Sequence, residues 1–153
     1  MTRDERFMQE ALRLAREAGA IGEVPVGCVI TKDDEIVGRG RNCRETGKNA
    51  LGHAELMAIS EACRVLGGWR LWQCRLYVTL EPCPMCTGAI INARIPTVVF
   101  GASDPKAGAV HSKVRMFELG FNHYPEVISG VMEQECADLL QGFFRELRVR
   151  KKP

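Results

Sequence analysis

The sequence has 153 residues, 46% hydrophobic and 26% charged, which suits a soluble globular chain with room for one core and too little for two ordinary ones. A net charge of +2 neither requires nor excludes a nucleic-acid partner. No apolar run reaches membrane-span length, and the charged start Met1-Thr2-Arg3-Asp4-Glu5-Arg6 lacks the apolar stretch of a secretion signal, so one cytoplasmic domain over residues 1–153 is the expectation.

Along the chain, Thr2 and Glu5 stand at capping-box spacing before Phe7, Met8, Ala11, Leu12, Ala15 and Ala18, a helical stripe that stops at Gly19 and Gly22. Residues 26–31 read as a buried strand, Lys32-Asp33-Asp34 as a turn, and residues 35–39 as the returning strand of a hairpin. A polar loop over 41–52 leads into a second helix from near His53, with Leu56, Ile59, Cys63 and Leu66 as its stripe and Gly67-Gly68 as its stop. A strand over 75–80 is broken by Glu81-Pro82, and a short helix over 83–92 and a strand over 97–100 follow. After a Gly- and Ala-rich loop over 101–112 come a weak helix or turn to about 119 and a short strand at 126–129. Cys136, Leu139, Leu140, Phe143, Phe144 and Leu147 mark a last amphipathic helix over 132–148. The order α-β-β-α-β-α-β-β-α predicts an α/β fold, one sheet with helices on both faces.

Seven cysteines are present, and an odd number cannot pair completely. Cys28, Cys43, Cys63, Cys74 and Cys136 are scattered singly, whereas Cys83 and Cys86 stand at metal-ligand spacing. In a reducing compartment metal is the better reading of that pair. Pro82-Cys83-Pro84-Met85-Cys86 opens one helix, and His53-Ala54-Glu55 opens another. Cysteines three apart in a first turn share a face, and the unpaired N–H groups of a helix start favour thiolates there. His53 would complete three protein ligands, leaving one tetrahedral position open, as in catalytic zinc sites. Glu55 sits on a different helical face and can act as general base toward a water held by the metal. The alternative is a closed structural zinc with Cys28 or Cys74 as fourth ligand, in a binding module without catalysis; it leaves Glu55 and the Pro-Cys-Pro break unexplained.

The pairing His-x-Glu with Pro-Cys-x-x-Cys resembles the signature of the zinc nucleobase deaminases. Beyond it, the chain resembles the bacterial tRNA wobble-adenosine deaminases over nearly its whole length. The likeness rests on Glu23-Val24-Pro25-Val26-Gly27, Asn42, Trp69-Arg70-Leu71, Tyr77 through Cys83, Val99-Phe100-Gly101-Ala102, Asp104-Pro105-Lys106, Phe121-Asn122-His123, Glu135-Cys136-Ala137 and Phe143-Phe144-Arg145. The resemblance implies a three-layer α/β/α fold of the cytidine-deaminase type, with a mixed sheet of about five strands. It implies one zinc per subunit on His53, Cys83 and Cys86, Glu55 as catalytic proton carrier, and a homodimer that converts adenosine to inosine in a tRNA anticodon loop. Asn42, Ala54, Asp104 and Lys106 would meet the substrate. Asn42 and Asp104 also suit plain turn positions, and Lys106 a solvated loop.

Two further features bear on the substrate. Arg145, Arg148, Arg150, Lys151 and Lys152 crowd the C-terminus, as phosphate binding would favour and as a solvated helix end also allows. The chain has His111-Ser112 where the family usually has Gly-Ser, Tyr124 where arginine often follows Asn-His, and Asn49-Ala50 for a frequent Asp-Pro; 113–120 looks slightly shortened. An enzyme acting on free guanine, cytosine or adenosine is the competing expectation.

Overall fold

The computed structural model describes residues 1–151 and opens with helix α1 (Arg3–Ala20). The capping box forms: the Glu5 N–H donates to the Thr2 hydroxyl at 3.1 Å and the Thr2 N–H to the Glu5 carboxylate at 3.0 Å. Asp33 and Asp34, both left-handed at φ 52° and 61°, join β1 (Gly27–Lys32) to β2 (Glu35–Arg41) as a two-residue hairpin turn demands. Helix α2 (Ala54–Leu66) stops at Gly67, left-handed at φ 72°.

Strands β3 (Cys74–Leu80), β4 (Thr97–Ala102) and β5 (Glu126–Ser129) complete one five-stranded sheet in the order β2-β1-β3-β4-β5. β1 runs antiparallel to both neighbours, while β3, β4 and β5 are mutually parallel. Parallel neighbours need crossovers, and helix α3 (Pro84–Ala93) provides the one between β3 and β4. Strand alternation sorts the core into two halves. Cys28, Ile30, Leu76, Val78, Val98 and Phe100 face Ala54, Ala58, Ala62 and Ile90 of α2 and α3. Val29, Tyr77 and Val99 face Phe7, Met8, Ala11 and Leu12 of α1, with Cys136 of helix α4 (Glu133–Lys151) beside them. This is the expected three-layer α/β/α arrangement with a mixed sheet. No helix among the described residues is long and apolar enough to cross a membrane.

The weak element expected before residue 119 reduces to one 3-10 turn, Met116–Glu118, with no buried side chain to support a longer helix. β4 runs to Ala102, beyond the expected 100, because Ala102 pairs with Leu80. α4 continues to Lys151, and Lys152 lies outside the described residues. Close approach of α2 to the sheet fixes where its N-terminus falls. A Cβ on Gly38 would overlap the Ala58 carbonyl, and one on Gly40 the Ala54 carbonyl, so β2 presents bare backbone to α2.

Candidate active site

The two chemical motifs meet where two helix N-termini converge. His53 is the N-cap of α2 and Cys83 the N-cap of α3, and neither side chain caps its own helix. Pro84 occupies the first turn of α3, where a missing N–H costs nothing. His53 Nδ1 lies 3.6 Å from Cys83 Sγ and 3.5 Å from Cys86 Sγ, and the three ligand atoms all lie within 4.8 Å of one another. Tetrahedral zinc, with Zn–N of about 2.05 Å and Zn–S of about 2.3 Å, calls for N···S separations of about 3.6 Å. The donor set therefore fits the ion as it stands. Neither Cys28 nor Cys74 joins this cluster among the described residues, so a fourth protein ligand is not in reach.

Proton affinities at the site follow from its burial and contacts. The hydrogen bond from Cys86 lowers the Cys83 thiol to about 5, against an opposing push from burial, with His53 helping. Donating that bond and being buried raise the Cys86 thiol well above its ordinary value. Without metal the pair thus shares one proton, which a cation would displace. Glu55, in the first turn of α2, is only 4% exposed, and burial pushes its carboxyl up to about 7. A carboxyl poised near neutrality can both accept and release a proton.

Glu55 and His53 line a cavity of about 220 Å³, together with Asn42, Ala54, Cys83 and Asp104. Asn42 and Asp104 also serve their own turns. Asn42 Nδ2 donates to the Val24 carbonyl at 3.2 Å and its Oδ1 accepts from the Arg44 N–H at 3.3 Å. Asp104 Oδ1 accepts from the N–H groups of Lys106 and Ala107 at 3.1 and 3.2 Å. Lys106 is exposed on the same loop and is not part of the cavity wall, unlike its neighbour Ala107. Of the four residues expected to meet substrate, three are brought together here.

Sequence reading missed two carboxylates and one cation. Glu81, read only as the end of a strand, accepts from the N–H groups of Asp104, Val110, His111 and Ser112 and from the Ser112 hydroxyl. Burial alone would raise its pKa, but these donors outweigh it and bring it to about 2. Next to the lining residue Val24, Glu23 accepts from the Glu45 and Thr46 N–H groups at 3.2 and 2.6 Å. Arg44 adds a cation to the cavity wall. An acidic residue next to the cysteine motif, followed by a loop of small residues, was the available signal for Glu81. His111, which departs from the usual glycine of the resembled family, contributes its N–H to Glu81 while its imidazole packs edge-on against Phe100 at 5.1 Å and meets Ser103 Oγ at 3.0 Å. It lies outside the cavity wall, and Tyr124 is 74% exposed beyond it.

The comparisons agree with this geometry. Residues 1–102 match the cytidine and deoxycytidylate deaminase zinc-binding region. The tRNA-specific adenosine deaminase of Bacillus subtilis is 51% identical, over 99% of this chain and 95% of its own. A structure solved in work on A-to-I editing by tRNA deaminases at the wobble position of transfer RNA superimposes with a TM-score of 0.86 at 46% identity, covering 88% of this chain and 99% of that one. Guanine deaminase from Bacillus subtilis superimposes less fully, with a TM-score of 0.62 at 44% identity over 65% of this chain and 64% of that one. The chain belongs to the tRNA-specific adenosine deaminases, within the zinc-binding family of the cytidine and deoxycytidylate deaminases.

Proposed function

We propose that this protein is a zinc-dependent hydrolase that deaminates adenosine to inosine at the wobble position of a tRNA anticodon loop, releasing ammonia. The observation that carries the reading is the set of His53, Cys83 and Cys86 donors at tetrahedral spacing beside the buried Glu55. In this reading His53, Cys83 and Cys86 would hold zinc, which would supply Lewis acidity and make water a stronger nucleophile near neutral pH.

Glu55 takes a proton from the attacking water and delivers it to the departing amine; its buried position keeps that proton from leaking to solvent. Asn42 offers hydrogen-bonding capacity beyond its two backbone partners, and Ala54 lines the cavity at the start of α2. Asp104 also lines the cavity, with the exposed Lys106 on the same loop as a contact for the RNA backbone. A cavity of this size admits one base swung out of its stack, which costs least in an unpaired loop. The chain would act as a homodimer in the cytoplasm. Exposed Val65, Trp69 and Trp72 give a second copy apolar surface to cover, and seven unpaired cysteines suit a reducing compartment.

The likeness to a guanine deaminase favours a second reading, hydrolysis of a free purine base at the same site. The test is inosine formation in unmodified tRNA with adenosine at the first anticodon position, beside free adenosine, guanine and cytosine. Inosine from the wild type and none from Glu55→Ala is the expected result. A silent tRNA with one free base consumed would overturn the RNA reading and keep the site.

A further inference from the structure

We propose that Glu81 is a positioning residue for substrate recognition: it clasps both ends of the 103–112 loop and so holds Asp104 and Ala107 in the cavity wall. The inference rests on the deaminase reading above and deepens it.

Glu81 is 2% exposed, and no lysine or arginine pairs with it among the described residues; its sole ion-pair neighbour is His111 Nε2, at 3.7 Å. A buried carboxylate without a cation persists only where donors replace its water. Here the loop supplies them from both of its ends. Oε1 accepts from the Asp104 N–H at 3.0 Å and from the Ser112 hydroxyl. Oε2 accepts from the N–H groups of Val110, His111 and Ser112 at 3.1, 2.9 and 3.0 Å. Between these ends, Gly108 passes directly over the carboxylate, where a Cβ would overlap both oxygens. One more bond ties the loop to the cysteine motif, from the Ala109 N–H to the Pro82 carbonyl, and the Glu81 N–H donates to the Ala102 carbonyl at the end of β4, both at 2.8 Å.

One side chain thus joins the segment that carries the cysteines to the loop that walls the substrate. Glu81 belongs to the cavity lining, but its side chain is fully covered and both carboxylate oxygens are taken by donors of the loop, so it acts by holding the wall and not on the reacting atoms. Glu23 holds the loop that carries Arg44 in a similar way, through the Glu45 and Thr46 N–H groups.

The test is Glu81→Gln in the zinc-loaded full chain. A glutamine can keep its oxygen toward residues 110–112, but its amide then turns a donor toward the Asp104 N–H. The variant should keep wild-type zinc content. Amide exchange across 103–113 should quicken by about tenfold or more, as a lost local clasp implies. KM for tRNA should rise about tenfold while kcat falls less than about threefold, the pattern of weakened substrate placement. Ser112→Ala, which removes one donor, should move the same readouts in the same direction and less. It carries the test if Glu81→Gln does not fold, and wild-type values from it would then sink the inference.

Unchanged exchange and KM in Glu81→Gln would refute the inference. A kcat loss of about a hundredfold or more with KM intact would make Glu81 part of the chemistry instead. Loss of zinc would make it a support of the metal. If the wild type spares tRNA and consumes a free base, the RNA reading fails, while KM for that base and amide exchange still decide the role of Glu81.

Discussion

At the scale of single residues, three side chains of one chemical type do different work. Glu55, Glu81 and Glu23 are all buried glutamates, and their surroundings separate them. Glu55 has burial uppermost and is raised; Glu81 and Glu23 meet backbone N–H groups that outweigh burial and are lowered. Replacing Glu55 by Gln removes the proposed proton carrier and keeps the shape. Turnover should then fall by about two to four orders of magnitude with zinc retained, checked by single-turnover kinetics beside metal analysis.

Glu23 predicts a stability effect of definite sign. Its folded pKa lies below the ordinary 4.5, so the unfolded chain binds its proton more readily. Its contribution is therefore complete above about pH 5 and is lost as pH falls through the folded value. Thermal unfolding between about pH 7 and pH 3 should show a shallower acid decline in Glu23→Gln than in the wild type. Parallel profiles would remove Glu23 from that account.

At the scale of elements, the legible parts were those written locally. The Thr2–Glu5 capping box, the Asp33-Asp34 turn and the Gly67 stop each lie within a few residues of sequence, and each formed as expected. So did the helix starts that carry His53 and Cys83. The clasp at Glu81 showed in the sequence only as an acidic residue ahead of a loop of small residues, because its partners stand 23 to 31 residues away and, the Ser112 hydroxyl apart, are main-chain groups, which side-chain identity does not advertise. The same limit hid the fit of α2 on β2, where the signal is the absence of a side chain. Gly40→Val should drive α2 off the sheet, cost about 2 kcal/mol or more, and weaken zinc retention because His53 caps that helix. Chemical denaturation and metal analysis would check both effects.

At the scale of the molecule, cations gather at one helix end. Arg145, Arg148, Arg150 and Lys151 stand exposed on the last turns of α4, with Arg150 held by Glu146 at 2.7 Å. If this helix end meets an RNA backbone, neutralising Arg145 and Arg148 together should weaken tRNA binding and reduce the salt slope by about one to two. Filter binding across a salt series is the check, and an unchanged slope would leave the helix end as solvated surface. Sedimentation equilibrium should give twice the monomer mass, and a monomer would remove the homodimer from the proposed function.

The loop beside the cavity is held almost wholly through its main chain, since Glu81 reads N–H groups and asks for a particular side chain only at Ser112 and the bare Gly108. A clasp of that kind is indifferent to what the intervening residues display. That makes the stretch permissive to drift: His111 stands where the resemblance leads one to expect glycine, and its N–H still makes the bond to Glu81. For anyone wishing to retune this enzyme, position 107 is thus the natural place to vary, because Ala107 is exposed in the cavity wall while the anchor points at 104 and 110–112 stay put.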